Sequence, residues 1–324
     1  MKVLVTGGAG YIGSHFVKIL HENNVDCVVL DNLSRGHKEA VPENVPLEVV
    51  DLLNADSVKK VFEKYSIDAV VHFAAFAYVG ESVEDPKIYY RNNVVGSFNL
   101  INACVEAGVK HFVFSSTCSL YGNPQNIPIS EEQPTNPINP YAQTKLIIEN
   151  MLRDFESAYG IKSVCLRYFN AAGADFDAQI GESHDPEPHL IPIVINTALG
   201  KREKVSIFGN DYDTEDGTCI RDYIHINDLG DAHLKALEYL KNGGSSQVIN
   251  LGTGEGNSVK EIIDSAVMVT GKQIKIEIVD RREGDPAILI ADNKKAKELL
   301  GWQPKYKLTE IMESAYNWHS TQRF

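Results

Sequence analysis

The chain has 324 residues and a formal net charge of −13, from 44 acidic and 31 basic side chains. That length exceeds one average domain, and no apolar run is long enough to span a bilayer. The acidic balance argues against a surface built for nucleic acid or for an anionic membrane. In chain order, the first informative stretch is Lys2 to Leu20. Val3-Leu4-Val5 reads as a buried strand, Gly7, Gly10 and Gly13 follow at a spacing of three, and from Tyr11 the apolar pattern becomes helical. Such a turn leaves helix N–H groups and partial positive charge facing whatever sits above it, so a pyrophosphate is the natural occupant. Gly7 permits the turn, Gly10 admits the pyrophosphate, and Gly13 lets the helix pack closely. A second run, Cys27 to Leu30, ends in Asp31, placed to grip ribose hydroxyls and to repel a 2′-phosphate. Strand, turn, helix, strand and acid in register point to NAD rather than NADP.

Strand and helix patterns then alternate. Leu47 to Val50 leads to Asp51, and a helix is expected around Val58 to Tyr65. Ala69 to Phe73 is the next strand, followed by the small residues Ala74 and Ala75, which would let a cofactor lie close. One long helix is expected from about Pro86 through Asn93, Leu100 and Val105. His111 to Ser116 forms a strand that breaks into hydroxyls, and Asn139-Pro140 caps a helix ending near Gly160. Ser163 to Phe169 is a further strand. Near-continuous apolar strands in repeated βα units imply a doubly wound parallel sheet in an α/β protein. Beyond Phe169, Gly-, Asp- and Pro-rich loops alternate with short elements, as in a smaller substrate-binding domain. The five cysteines (Cys27, Cys104, Cys118, Cys165, Cys219) are scattered without a CxxC pair. Buried thiols in a reducing cytoplasm are expected, with no disulfide, metal site or secretory leader.

Tyr141 and Lys145 lie at i and i+4 on the helix that starts at Pro140, so they share a face. Thr117 supplies a hydroxyl at the carboxyl edge of the sheet, where ligands of such folds bind. Oxidising a carbinol needs a base for the hydroxyl proton. A phenol titrates near 10, and working near neutrality takes about 4 kcal/mol of stabilisation of its anion. One close cation supplies about 3–4 kcal/mol at an effective dielectric of about 20. Lys145 and a positive nicotinamide ring together suffice, with Thr117 holding the sugar hydroxyl.

The glycine motif, the hydroxyl residue and YxxxK resemble the extended short-chain dehydrogenase/reductase superfamily. Within it, His72-Phe73-Ala74-Ala75, Val79-Gly80-Glu81-Ser82-Val83, Tyr89-Tyr90-Arg91-Asn92-Asn93, Arg167-Tyr168-Phe169-Asn170-Ala171, Phe208-Gly209-Asn210-Asp211-Tyr212 and Arg221-Asp222-Tyr223-Ile224-His225 resemble UDP-glucose 4-epimerases across essentially the whole chain. The resemblance implies a Rossmann sheet with a smaller C-terminal α/β domain. Residues 1–169 plus 219–251 would bind dinucleotide, and 170–218 plus 252–324 would bind UDP-sugar. It implies that tightly held NAD oxidises C4 of the hexose, that the 4-keto sugar swings, and that the hydride returns to its other face. It implies a cytoplasmic homodimer formed through the helices near Pro86–Ala107 and Pro140–Tyr159.

By the same resemblance Thr117, Tyr141 and Lys145 match the catalytic trio. Gly7, Gly10, Tyr11, Ile12, Gly13, Asp31, Asn32, Asp51, Leu52, Phe73, Ala74, Ala75, Asn92, Tyr141, Lys145 and Phe169 match cofactor contacts. Thr117, Asn170, His189, Leu190, Phe208, Arg221, Arg282, Asp285 and Leu289 match the UDP-sugar pocket. Arginine forks suit a diphosphate, although a structural ion pair is the other reading of each arginine. Many epimerases carry Lys where Ala77 stands, so one favourable charge near the cofactor is missing, and position 189 varies between Asn and His. Leu289 either lines the sugar pocket, where its size admits an N-acetyl group more readily than Tyr does, or is a core residue of an apolar run. A 4,6-dehydratase is disfavoured, because the Asp–Glu pair it needs after the hydroxyl residue is replaced by Cys118-Ser119. A UDP-xylose/UDP-arabinose or UDP-N-acetylglucosamine 4-epimerase stays open, as does an NAD-occupied regulator.

Overall fold

The computed structural model describes residues 1–282 and 285–324. Seven parallel strands form the main sheet: β1 (Lys2–Thr6), β2 (Asp26–Asp31), β3 (Leu47–Val49), β4 (Ala69–His72), β5 (His111–Thr117), β6 (Lys162–Tyr168) and, after four others, β11 (Gln247–Leu251). Their order across the sheet is β11-β6-β5-β4-β1-β2-β3, so the winding reverses between β1 and β4. In open α/β sheets the ligand crevice lies at such a switch point, outside the carboxyl ends of the strands.

Both faces of the sheet are covered, and the strands alternate between them. Val3 and Val5 face one core with Phe16, Val17 and Leu20 of α1 (Tyr11–Glu22). Leu229 and Leu237 of α8 (Ile226–Lys241) complete that layer. Leu4 faces the opposite core with Val58 of α2 (Ala55–Lys64), Leu100 of α5 (Gly96–Ala107) and Ile148 of α6 (Pro140–Tyr159). Two-sided burial explains why these strands lack polar alternation. All five cysteines are free and buried.

A smaller core lies beside the sheet. It joins α7 (Leu190–Ala198), α9 (Val259–Thr270) and α11 (Leu308–Thr321) through Ile191, Val194, Ile262, Ala266, Ile311 and Met312. Short strands edge it: β7 (Asn170–Ala172) pairs with β10 (Tyr223–His225), and β8 (Val205–Phe208) with β13 (Ile276–Val279). A three-stranded piece runs in the order β12 (Asn257–Ser258), β9 (Ile220–Arg221), β14 (Ile288–Leu289). Helix α10 (Lys294–Leu300) packs on the first core through Ala296 and Leu300.

The expected single helix from Pro86 is instead three pieces. After α3 (Val79–Glu84), α4 (Pro86–Tyr89) runs into a π-type stretch, Tyr90–Val95, before α5. Asn93 in that stretch is fully buried. Its side chain accepts from the Phe76 N–H at 2.8 Å and donates to the Phe76 carbonyl at 3.0 Å and to Thr144 Oγ1 at 3.1 Å. Such widened turns are uncommon and cluster at functional sites. Apolar periodicity does not register them, because the pattern resumes after the extra residue.

Helix α6 is clamped to the sheet by a buried ion pair. Arg167 donates Nε to Glu149 Oε1 at 2.9 Å and Nη2 to Oε2 at 2.5 Å, with both side chains under a tenth exposed. Ser116 Oγ adds a bond to Glu149 at 2.6 Å, and Arg167 reaches the Tyr121 hydroxyl at 3.0 Å. Removing one partner of such a pair leaves an uncompensated buried charge, which typically costs about 3–5 kcal/mol. Glu149→Gln is therefore expected to lose about 3 kcal/mol in denaturant unfolding. A loss under about 1 kcal/mol would mean that the pair does not clamp the helix.

Candidate active site

The expected cofactor residues converge on the carboxyl edge. β1 breaks at Gly7, whose φ is +72°. A Cβ on Gly7 would stand 2.5 Å from the Ala74 nitrogen, and one on Gly13 would stand 2.1 Å from the Gly7 carbonyl oxygen. Only glycine lets the loop close both onto the end of β4 and under α1. Gly10 is the N-cap of α1, with no capping side chain and no acid in the first turn. The positive end of a twelve-residue helix is thus offered to an anion. Asp31, at the tip of β2, accepts from the Leu33 N–H at 2.8 Å and the Ala9 N–H at 3.0 Å, tying the glycine loop to that tip. Burial raises its pKa, and these two N–H groups oppose the rise.

Tyr141 and Lys145 aside, the other residues expected to touch the cofactor lie on α1, in the π-type stretch, or just after β2, β3, β4 and β6. Tyr11 donates its hydroxyl to the Gly173 carbonyl at 2.6 Å, and Ile12 packs on the first core. Asn32 accepts from Ser34, and Asp51 accepts from the Leu53 N–H at 2.8 Å. Leu52 is buried against the β-carbon position of Gly96. The Phe73 ring lies 5.6 Å from Phe16 and 4.7 Å from His233, and Asn92 donates to Asn93 at 3.0 Å. Ala74 and Ala75 follow β4 directly. Phe169 is buried with Cys118, Tyr121, Ile129 and Ala291.

Thr117 ends β5, while Tyr141 and Lys145 project from the first turns of α6. Asn139 caps that helix by accepting from the Ala142 N–H at 2.8 Å, with Pro140 in the first turn. Lys145 is 2% exposed; its Nζ donates to the Ser115 carbonyl at 2.7 Å and lies 5.9 Å from the centre of the Tyr141 ring. Burial pushes the Lys145 ammonium down to about 7, with Glu149 one turn along opposing the fall. Burial pushes the Tyr141 phenol well up, the Tyr168 phenol adds to the rise, and the Thr117 hydroxyl opposes it. The pair therefore meets in a site of low polarity where any charge is strongly felt. In the bare chain Lys145 does not by itself bring the phenol down.

The expected sugar-pocket residues form two groups. Arg221 Nη2 meets Asp285 Oδ1 at 2.6 Å, and the Arg282 guanidinium lies 3.9 Å from the centre of the Phe208 ring. Leu289 pairs in register with Arg221 and is half-buried against the group of Cys118 and Phe169. It thus abuts both the arginine and the residue after Thr117. The Glu283-Gly284 part of the segment over the sugar lies outside the described residues. In the second group, His189 caps α7, Leu190 is that helix's first residue, and His189 Nδ1 approaches Glu182 Oε1 at 2.6 Å. Asn170 opens β7 and donates to the Asp222 carbonyl at 3.1 Å.

Several contributors escaped sequence reasoning. Ser115 supplies the carbonyl that holds Lys145, and its hydroxyl bonds Tyr168. Glu149 continues the Tyr141–Lys145 stripe by one more i+4 step, and that periodicity was a usable signal. Beside Ala77 a cation is present after all: Arg35 packs on Phe76 and Tyr78, 4.2 and 4.5 Å from their ring centres. Its fork is held by Glu81 at 2.6 Å, so it brings little net charge to the crevice.

The NAD dependent epimerase/dehydratase family profile matches residues 3–252. The chain belongs to that family. It is 54% identical over 320 residues to the UDP-glucose 4-epimerase of Halalkalibacterium halodurans, covering 98% of this chain and 96% of that one. A crystal structure of UDP-glucose 4-epimerase from Brucella ovis in complex with NAD superposes with a TM-score of 0.95 at 49% identity, covering 98% and 97% of the two chains. The UDP-Glc/GlcNAc 4-epimerase of Campylobacter jejuni superposes with a TM-score of 0.87 at 46% identity, covering 98% and 99%.

Proposed function

We propose that the protein is an NAD-dependent UDP-glucose 4-epimerase, an isomerase that interconverts UDP-glucose and UDP-galactose through a transient 4-keto sugar. The observation that carries this reading is one edge holding Thr117, Tyr141 and Lys145 beside the uncapped α1, with Cys118-Ser119 rather than an acid pair after Thr117. Glycine loop, helix terminus and Asp31 would hold the dinucleotide, with Gly10, whose Cβ position meets only the Gly7 carbonyl oxygen at 3.4 Å, leaving room for its approach. NAD, when bound, supplies the hydride acceptor and a positive ring. Tyr141 takes the proton of the sugar 4-hydroxyl and gives it back to the opposite epimer. Lys145 steadies the phenolate, and Thr117 orients the hydroxyl. Arg221 and Arg282 receive the diphosphate, for which Arg221 must exchange or share its bond to Asp285. Residues 1–169 plus 219–251 serve the dinucleotide and the rest serves the UDP-sugar, in the cytoplasm.

Protein as isolated, given UDP-galactose and no added NAD, is expected to yield UDP-glucose. Tyr141→Phe is expected to lose about 10²–10⁴-fold in kcat while still carrying NAD. Dependence on free cofactor in every turnover, or full activity of Tyr141→Phe, would overturn the reading.

Position 289 governs which sugars fit. Leu289 abuts Arg221 and the Cys118 group, and it lacks the ring and hydroxyl of a tyrosine. UDP-N-acetylglucosamine is expected to turn over detectably, though less efficiently than UDP-glucose. Leu289→Tyr should suppress the N-acetyl substrate selectively, by roughly ten- to a hundredfold in kcat/KM, because overpacking costs about 1–3 kcal/mol. An unchanged ratio of the two kcat/KM values would remove Leu289 from the pocket.

A homodimer formed through α5 and α6 completes the proposal. Val95, Phe98 and Tyr159 are 45–51% exposed there, and the Phe98 ring meets Phe155 edge-on at 6.3 Å, joining the helices into one apolar face. Light scattering at micromolar concentration is expected to give the mass of two chains, and a monomer mass would contradict the dimer.

A further inference from the structure

The loop before α7 reads Glu182-Ser183-His184-Asp185-Pro186-Glu187-Pro188-His189. It brings four ligand-type side chains to one point beside the glycine loop. One carboxylate oxygen or imidazole nitrogen from each of Glu182, His184, Glu187 and His189 lies within 4.8 Å of all the others. His189 Nδ1 stands 2.6 Å from Glu182 Oε1 and 3.2 Å from Glu187 Oε1. His184 Nδ1 stands 3.2 Å from Glu182 Oε1 and 3.6 Å from Glu187 Oε2. Ligands held about 2.0–2.1 Å from a tetrahedral centre are separated by roughly 3.3–3.4 Å. The two separations of 3.2 Å match that spacing, 2.6 Å is shorter, and 3.6 Å, to the other Glu187 oxygen, is longer.

Among the described residues only one oxygen of the cluster is satisfied: Glu187 Oε1 is hydrogen-bonded to His189 Nδ1 at 3.2 Å and accepts from the His189 N–H at 3.0 Å. Glu182 Oε1 and His184 Nδ1 are both buried without a hydrogen-bond partner, although only 3.2 Å apart. The Glu182 side chain is 3% exposed, so water does not solvate it. Two arrangements neutralise the two carboxylates: a proton on each imidazole, or one divalent cation between neutral rings. Burial works against protonating either ring, though Glu182 and Glu187 outweigh it and hold both above the ordinary histidine value. With two protons, however, two imidazolium rings 5.5 Å apart would both aim Nδ1 at the same oxygen. A shared cation removes that repulsion and uses the convergence of the nitrogens.

We propose that Glu182, His184, Glu187 and His189 bind one divalent transition-metal ion, Zn²⁺ by preference, in a four-ligand site with two nitrogens and two oxygens. Two imidazoles disfavour Mg²⁺ and Ca²⁺, which take oxygen ligands. Imidazole with carboxylate and no thiolate suits Zn²⁺. Four protein ligands make the site structural. The ion would fasten the loop leading into Leu190 against the dinucleotide side, where Tyr11 and Tyr78 meet His184 edge-on at 6.3 and 5.7 Å. The loop is anchored behind as well, by Trp318 Nε1 donating to the Glu182 carbonyl at 2.8 Å. The scattered cysteines alone predict no metal site; the His/Glu spacing of this loop is the sequence signal that points to one. The proposal is independent of which sugar is turned over.

The test uses the full-length, NAD-carrying protein, stripped with a chelator and then titrated with ZnCl₂ alone. Calorimetry and elemental analysis are expected to show one Zn²⁺ per chain at micromolar Kd or tighter, with a rise in Tm. Co²⁺ in its place should give the visible absorption of a tetrahedral site. His184→Ala and Glu187→Gln, each checked for retained NAD and cooperative unfolding, should weaken Zn²⁺ binding by at least about a hundredfold. If one of them fails to fold, the other carries the comparison. Stoichiometry below one, or binding equally tight in the folded variants, would overturn the site and leave the cluster held by protons.

Discussion

The interaction on which the rest of this structure depends is the burial of the Lys145 ammonium in the seam between β5 and α6. An ammonium removed from water loses several kcal/mol of solvation, and one main-chain carbonyl returns only part of it. Among the described residues its one bonded partner is the Ser115 carbonyl at 2.7 Å, with the Phe114 ring 4.9 Å away. The seam tolerates this cost because it is closed elsewhere. One turn along α6, Glu149 is saturated by Arg167 and Ser116, and six residues back Asn139 fixes the helix start. Those rigid contacts bracket Lys145 and Tyr141, so the lysine cannot relax toward water without breaking better bonds. A cation held this way has a large unspent field, which is what a neighbouring phenol needs from it.

The large sheet was legible because its determinants are local. Glycine spacing, apolar runs and the Asn139-Pro140 cap each act within a few residues, and strands buried on both faces leave a continuous apolar signature. The crevice residues followed from the same signals, since a parallel sheet carries every strand end to one edge. What could not be read is non-local or non-periodic. The π-type stretch at Tyr90–Val95 exists because Asn93 serves Phe76 and Thr144, partners 17 and 51 residues away. Arg35 reads as an ordinary loop cation until Phe76, Tyr78 and Glu81 surround it.

The overall charge of −13 sets a problem for a chain whose ligands are anionic. The structure answers it with position rather than number. The end of α1 carries its positive partial charge without a competing acid, and the exposed Arg282 guanidinium sits over the Phe208 ring. Arg221 is different, because Asp285 already engages its fork. That bond keeps the guanidinium ordered in a half-buried place and makes its release part of any anion's binding energy.

The two halves of the site also differ in how firmly the fold holds them. Thr117, Tyr141 and Lys145 stand on a seven-residue buried strand and on the buried face of a twenty-residue helix. The sugar side rests on β9 and β14, two residues apiece, and on loops. Two ladder bonds position Leu289 against Arg221, from the Ile220 N–H to the Ala287 carbonyl and from the Asp222 N–H to the Leu289 carbonyl. Small substitutions can reshape such a wall without disturbing the sheet, because little of the large core depends on it. On the reading proposed above, proton and hydride positions are set by deep packing, and sugar width by short strands at the rim.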